Sequence, residues 1–243
     1  MIETSAIVLR TLKIGDNKQI IDFLTSGGNR LSCVAAVGLS GRSRIRRHLF
    51  QPMTIMDISY DARPAASLQR LRDAHISVPY ATLTSDVRKL STLLFLSEFL
   101  YCATPSEHDN AGLYAYVVNS LQWLDGCAVA APNFHLVFMM RIARFIGFFP
   151  NTGDYSAGDM FDLRQGCFVS AVPQHSDYLD VADSTKILTL MRMNYATMHL
   201  FRMSHVERNR IVSIILYYYR LHVPGFPEMK SLSVVKEIFG NEE

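Results

Sequence analysis

Hydrophobic and polar residues follow two different periods along this chain, and the change from one to the other falls near residue 80. Before it, short runs rich in β-branched and aliphatic residues at 5–14, 19–25, 31–37 and 53–60 are each bounded by turn formers. Gly15-Asp16-Asn17 separates the first two runs and Gly27-Gly28-Asn29 the second from the third. Glycine and asparagine tolerate the positive φ of tight hairpin turns, so these breaks predict antiparallel neighbours and not crossovers. A fifth run, 71–78, ends in a clean alternation of Ala74, Ile76 and Val78 against His75 and Ser77. Five short antiparallel strands in so little chain predict a small barrel of the OB type, occupying residues 1–80.

After Pro79 the period lengthens to three and four. Val87, Leu90, Leu94 and Tyr101 mark a first helix ending near Thr104-Pro105, and 111–124 a second that stops at Gly126. A third helix over 134–146 has Gly147 as its stop, and the three are expected to pack on one another and on one barrel face. Glycines 153, 158 and 166 with Pro173 interrupt the helical pattern over 151–180, where runs at 160–163 and 167–171 are spaced to pair as a hairpin. Asp183 or Ser184 is a candidate cap for a helix through Met198. Ser204 and Glu207 have the spacing of a capping box ahead of a last helix to about His222. Residues 211–219 are apolar on nearly all sides of that helix, which puts them at the centre of a helical domain, 81–243. The fold class is therefore α+β: a five-stranded barrel followed by helices that carry a loop or hairpin insert.

Composition narrows this picture in two ways. Hydrophobic residues make up 49% and charged residues 19% of the 243, which describes a folded chain and excludes a disordered one. The formal net charge is only +2, so any surface for a polyanion must come from clustering. One cluster stands out between the third and fourth strands: Gly41-Arg42-Ser43-Arg44-Ile45-Arg46-Arg47-His48. Unpaired guanidinium groups are costly to desolvate, so four of them in six residues belong in solvent or against an anion. A solvated loop is the plainer reading for scattered charges; four arginines on a barrel rim favour an anionic polymer. Lys13 and Arg30, on adjoining turns, are the expected neighbours of Arg42, Arg44, Arg46 and Arg47. Arg141 and Arg144 share a face of the third helix and are a lesser candidate surface.

Other chemistry finds little support. Cys33, Cys102, Cys127 and Cys167 show no paired spacing, which argues for free thiols in a reducing compartment over disulfides or zinc. No G-x-x-x-x-G-K-[ST] loop, no nucleophile elbow and no histidine pair at i, i+4 occurs. Asp154, Asp159 and Asp162 are more readily a solvated turn than a cation site. The first residues carry no basic and apolar leader. The apolar stretch 134–149 is shorter than the roughly 20 residues of a membrane span and is interrupted by Arg141 and Arg144. A cytoplasmic, non-enzymatic protein without cofactor, metal or catalytic residue is expected, with no membrane partner. The alternatives left open are an interaction scaffold whose barrel meets an acidic protein and an enzyme without recognisable motifs.

Ala6-Ile7-Val8-Leu9-Arg10-Thr11, Arg30-Leu31-Ser32, the basic loop and Phe50-Gln51-Pro52 together resemble the N-terminal domain of the RecO family of bacterial recombination and repair proteins. Tyr217-Tyr218-Tyr219-Arg220-Leu221-His222, then Pro224-Gly225-Phe226 and Lys230-Ser231-Leu232, are similar to that family's closing helix and tail. The resemblance implies a DNA repair and homologous recombination mediator that binds and anneals single-stranded DNA and helps load the RecA recombinase onto DNA coated by single-strand-binding protein. It implies RecR and the C-terminal tail of single-strand-binding protein as partners, double-stranded DNA as a further ligand, and association with the nucleoid. Many family members bind zinc through paired cysteines in the region of 151–180. Here Cys167 alone remains, so the resemblance implies a metal-free insert held by Tyr155, Met160, Phe161, Leu163 and Phe168.

Overall fold

The structure, a computed structural model, describes residues 1–37, 47–63, 66–104, 109–128 and 131–233, with the side chain of Arg47 outside the description. The chain forms two compact units, Met1–Cys127 and Ala128–Glu243.

In the first unit, β1 (Ile2–Ile14), β2 (Lys18–Thr25), β3 (Arg30–Ala36), β4 (Ile55–Asp61) and β5 (Gln69–Val78) close into a barrel in the order β1-β2-β3-β5-β4. Four of the five pairings are antiparallel; the closing pair, Cys33 with Gln69 and Val34 with Arg70, is parallel, a departure from the all-antiparallel expectation. Side chains of alternate residues fill the interior: Ala6 and Val8, Ile21 and Phe23, Cys33 and Ala35, Met56 and Ile58. Burial pushes the Cys33 thiol up to about 12, so it packs as a small hydrophobe. On β5 the inward residues are Leu71 and Ala74, because the register with β4 slips between Ser59 and Tyr60. Ile76, expected inside by alternation, is 42% exposed.

The run Ala6–Leu9 is buried on both faces because α1 (Val87–Ala103) covers the outer side of β1, where Ser97 Oγ donates to the Leu9 carbonyl at 2.5 Å. The face of α1 that turns inward carries Leu93, Phe95, Leu96, Phe99 and Leu100. Val87, Leu90 and Leu94, whose spacing marks the helix in the sequence, lie on its exposed side. A helix with apolar residues on both sides buries the larger set, because aromatic side chains remove the most area from water. α2 (Ala111–Gly126) is fixed at its far end by the Asp125 carboxylate, which accepts from the amides of Ala81 (2.9 Å), Thr82 (2.8 Å) and Leu83 (2.9 Å). Burial alone would raise this carboxyl's pKa, but the three amides outweigh it and hold it below the usual range.

The second unit is built on α3 (Phe134–Phe145) and α5 (His205–His222), with α4 (Val181–Arg192) packed on α3. The insert holds a three-stranded sheet: β6 (Met160–Asp162) pairs with β7 (Cys167–Val169) in the expected hairpin, and with β8 (Tyr178–Leu179) on its other edge. Phe161 and Phe168 pack edge-to-face at 5.1 Å, and Tyr155 meets Phe168 at 4.9 Å. α4 begins earlier than expected. Asp180 is its cap, accepting from the Asp183 amide at 2.8 Å. Ser184 instead accepts from the Phe161 amide and donates to the Leu179 carbonyl, joining β6 to β8, while Asp183 receives two nitrogens of Arg210. The helix also stops at Arg192, and Met198 starts a separate 3-10 turn. The capping box at Ser204 and Glu207 forms as the spacing predicts.

His135, on α3, is 1% exposed. Burial first, and then the nearby Arg208 charge, lower its pKa to about 3. An unfolded chain returns this imidazole to its usual value and binds the proton more readily, so stability falls as pH drops below about 6.5. The loss from this group between pH 7 and 5 is expected to be about 2 kcal/mol, ahead of the range where most carboxylates protonate. Melting curves over that interval check it: His135→Leu should flatten the dependence, and an unchanged slope would show that other groups set it.

Candidate nucleic-acid interface

Arg42, Arg44 and Arg46 lie outside the described residues, and Arg47 is described in its backbone alone, as the first residue of a 3-10 turn, Arg47–Leu49. The described chain does fix where this segment leaves and rejoins the barrel. Val37 donates its amide to the Asn17 carbonyl at 2.9 Å, in the turn between β1 and β2. Phe50 packs edge-to-face on Phe23 at 6.3 Å inside the barrel, and its carbonyl accepts from Thr11 Oγ1 of β1 at 3.0 Å. Both anchors of the four-arginine segment therefore sit against the β1–β2 hairpin.

That hairpin carries two lysines. Lys13 is opposite Gln19 and Lys18 opposite Ile14 in the register. Both are exposed, and Lys13 lies 3.9 Å from Asp16 with both side chains mostly in water. Surface pairs of this kind contribute little and leave the ammonium available to another anion.

Arg30 is placed elsewhere. It stands opposite Leu24, five residues along β2 from Gln19. At the rise of an extended strand, that puts it about 17 Å from the Lys13 rung. Its guanidinium lies 3.7 Å from the Tyr101 ring centre, and Nη1 donates to the carbonyls of Tyr101 (2.9 Å) and Thr104 (3.1 Å) at the end of α1. The last carbonyls of a helix lack intrahelical donors and carry its negative end, which suits a cation. Burial lowers the Arg30 pKa, opposed by Tyr101 and Asp22; a guanidinium stays charged nonetheless. Arg10 adds a second guanidinium at 4.8 Å from the same ring.

Sequence reasoning thus passed over Arg10 and Lys18. Lys18 could have been found from the hairpin register, since it flanks the same turn as Lys13. Arg10 carried no signal, because its partner Tyr101 is ninety-one residues away. Of the lesser pair in the helical unit, Arg141 donates to the Met191 and Met193 carbonyls at the end of α4, and Arg144 lies 4.2 Å from the Phe149 ring.

In the insert, Asp162 accepts from the amides of Arg164 and Gln165 and faces His175 at 3.3 Å, while Asp159 accepts from Ser156. These acids close turns, and among the described residues no three histidine, cysteine or acidic side chains are grouped as metal ligands. Nor is any described helix long and apolar enough to cross a membrane.

Comparison with known proteins bears on the whole chain. The model of the Recombination protein O N terminal family matches residues 1–80, and that of the Recombination protein O C terminal family residues 84–232. This chain belongs to the RecO family. The DNA repair protein RecO of Phocaeicola vulgatus is 46% identical over 237 residues, covering 98% of each chain. That of Bacteroides fragilis is 44% identical over 238 residues, again with 98% of each covered. That of Christiangramia forsetii is 31% identical over 242 residues, with 99% of this chain and 100% of its own covered. The closed barrel agrees with the OB-like expectation for the N-terminal part of a RecO protein, and DNA repair is the family's role.

Proposed function

We propose that this RecO protein binds single-stranded DNA at the barrel end marked by the β1–β2 turn, anneals complementary strands, and helps load the RecA recombinase onto DNA coated by single-strand-binding protein. The observation that carries the reading is the return of both anchors of the 38–46 segment to a hairpin that already displays Lys13 and Lys18. Phosphates are the feature common to every strand sequence, so cations gathered at one barrel end give binding without base preference. Arg42, Arg44, Arg46, Arg47 and Lys13 are the proposed phosphate contacts, joined by Lys18. Arg30 and Arg10 contribute a fixed positive charge on the adjoining wall. Annealing then follows from charge neutralisation, which lets two polyanions approach; double-stranded DNA is the product and a proposed further ligand. No covalent step is asked of the protein, and the insert is proposed to hold its shape without a metal. RecR and the tail of single-strand-binding protein are the proposed protein partners, in the cytoplasm at the nucleoid.

Titration of a labelled mixed-sequence single strand over a series of salt concentrations tests this. Each phosphate contact contributes about 0.7 to the slope of log affinity against log salt, so replacing Arg42, Arg44, Arg46 and Arg47 by alanine should flatten it by about 2 to 3. The melting temperature should hardly change. An unchanged slope in the folded variant would remove the arginine segment from the interface.

A further inference from the structure

The outer side of an antiparallel sheet is ordinarily polar, but the barrel wall next to the β1–β2 turn is not. Ile21, Cys33 and Ala35 belong to the interior, so Ile20, Val34 and Ala36 point outward. Register puts Leu12, Ile20 and Val34 in one rung across β1, β2 and β3, and Ile14, Lys18 and Ala36 in the next. Residues paired across strands share a face. Leu12 and Ile14 are 39% and 46% exposed, Ala36 is exposed, and Ile20 and Val34 are half-buried. α1 covers β1 around Leu9 and leaves this strip open to solvent.

Cations flank the apolar strip. Lys18 stands within the second rung, and Arg70, opposite Val34 across the parallel seam, extends the first. Leu71 is in the interior, so Arg70 points outward, and it is exposed. The strip also ends where the 38–46 segment leaves the barrel, because Ala36 is followed by Val37, whose amide is tied to Asn17 of the turn. Apolar side chains gathered across three strands and rimmed by charge mark a binding surface, and this one is continuous with the cations proposed to meet phosphates.

The chemistry selects the ligand. A single strand repeats an anionic phosphate beside the flat face of a base, which matches an apolar strip with a cationic rim. Outward positions recur about every 7 Å along a strand and about 4.8 Å across the sheet, so one base face can touch several of these side chains. In a duplex the base faces are stacked inside, and a protein reaches only their edges through the grooves. We propose that this wall receives unpaired bases and thereby makes the protein prefer single strands to duplex, an inference that rests on phosphate binding at the same barrel end. Pairing withdraws the bases from the strip, so the annealed product is held by phosphate contacts alone.

The probes are a fluorescent mixed-sequence single strand, an abasic strand with the same number of phosphates, and the matching duplex. Wild-type protein should bind the base-bearing strand at least about fivefold more tightly than the abasic one, the low end of what a base contact contributes, and more tightly than the duplex. Combined Leu12→Thr and Ile14→Thr keeps strand-forming side chains and the charge, and should bring the ratio to the abasic strand below about twofold. Affinity for the abasic strand and the slope of log affinity against log salt should stay as in the wild type, because no cation is touched. Combined Leu12→Tyr and Ile14→Tyr should raise the ratio, since an aromatic ring stacks on a base. All four substitutions fall on exposed side chains, so melting temperatures should hardly change. Equal affinity of the wild type for base-bearing and abasic strands would overturn the inference, as would an undiminished preference in the folded threonine variant. An alternating glutamate and leucine peptide that binds the wild type and not the threonine variant, with both DNA affinities unchanged, would assign the wall to a protein and overturn it too. Failure of phosphate binding itself reads differently, as weak, salt-independent binding of both strands.

Discussion

Ile215→Asp is expected to abolish folding of the unit Ala128–Glu243. Ile215 is fully buried on α5 with Ile211, Val212, Ile214 and Leu216, each no more than 5% exposed. Around this run Tyr219 donates to the Met139 carbonyl of α3 at 2.7 Å, Tyr218 donates to the Phe148 carbonyl at 2.7 Å, and Phe148 meets Tyr219 edge-to-face at 4.9 Å. Removing the isoleucine forfeits about 2 to 5 kcal/mol of burial and packing. The carboxylate that replaces it either stays ionised without a partner or takes up a proton at a further cost of several kcal/mol. The sum is comparable with the whole stability of an ordinary domain, about 5 to 15 kcal/mol. Val206→Asp is the matched control, because Val206 is 75% exposed in the first turn of the same helix. An added negative charge is tolerated or mildly favourable at that end. Urea denaturation followed by circular dichroism should find the control within about 0.5 kcal/mol of wild type, and for Ile215→Asp the helical signal of the second unit already lost before urea is added. A cooperative transition at the wild-type midpoint would show that this face is not the core.

The elements most legible in the sequence were those whose signals are local. Hairpin turns at Gly15-Asp16-Asn17 and Gly27-Gly28-Asn29 bound β1, β2 and β3 to within a few residues of their expected ends, and the capping box set the start of α5. Errors arose where a distant partner decided. Asp183 and Ser184 are good local caps, but Arg210 and the β6 and β8 backbones claim their side chains, and Asp180 takes the end of the helix. The parallel β3–β5 pair has no local signature, because it joins segments more than thirty residues apart. β8 is two residues long and gives no period at all.

The same division runs through the candidate interface. Charge density in the 41–48 segment and the lysine at Lys13 can be read from the sequence alone. That the segment's anchors meet the β1–β2 hairpin follows only from the Val37–Asn17 and Thr11–Phe50 bonds. Arg30 carries a charge like the others, yet two carbonyls and a tyrosine ring fix it at the end of α1.

Gly28→Ala is expected to cost about 3 kcal/mol or more, far more than a single methyl group usually does. Gly28 has φ +83°, where a side chain costs roughly 1–2 kcal/mol. A Cβ placed there would also stand 2.2 Å from the Asn110 oxygen, 2.3 Å from its carbonyl carbon and 2.6 Å from its nitrogen. These are backbone atoms, so the turn and the start of α2 must separate. Separation would break the bond from the Asn110 amide to the Gly27 carbonyl (2.8 Å) and that from Asn29 Nδ2 to Asp109 (2.7 Å). It would also disturb Asn110 as the cap that accepts from the Leu113 amide at 3.0 Å, a contact whose loss costs about 1 kcal/mol. Gly15→Ala isolates the backbone contribution, because Gly15 has φ +62° and nothing within 4 Å of its added Cβ. Urea midpoints of the two variants should therefore differ widely, with Gly15→Ala losing only the roughly 1–2 kcal/mol of the left-handed conformation. Equal losses would mean that α2 yields without cost, and that the β2–β3 turn does not hold the helix to the barrel.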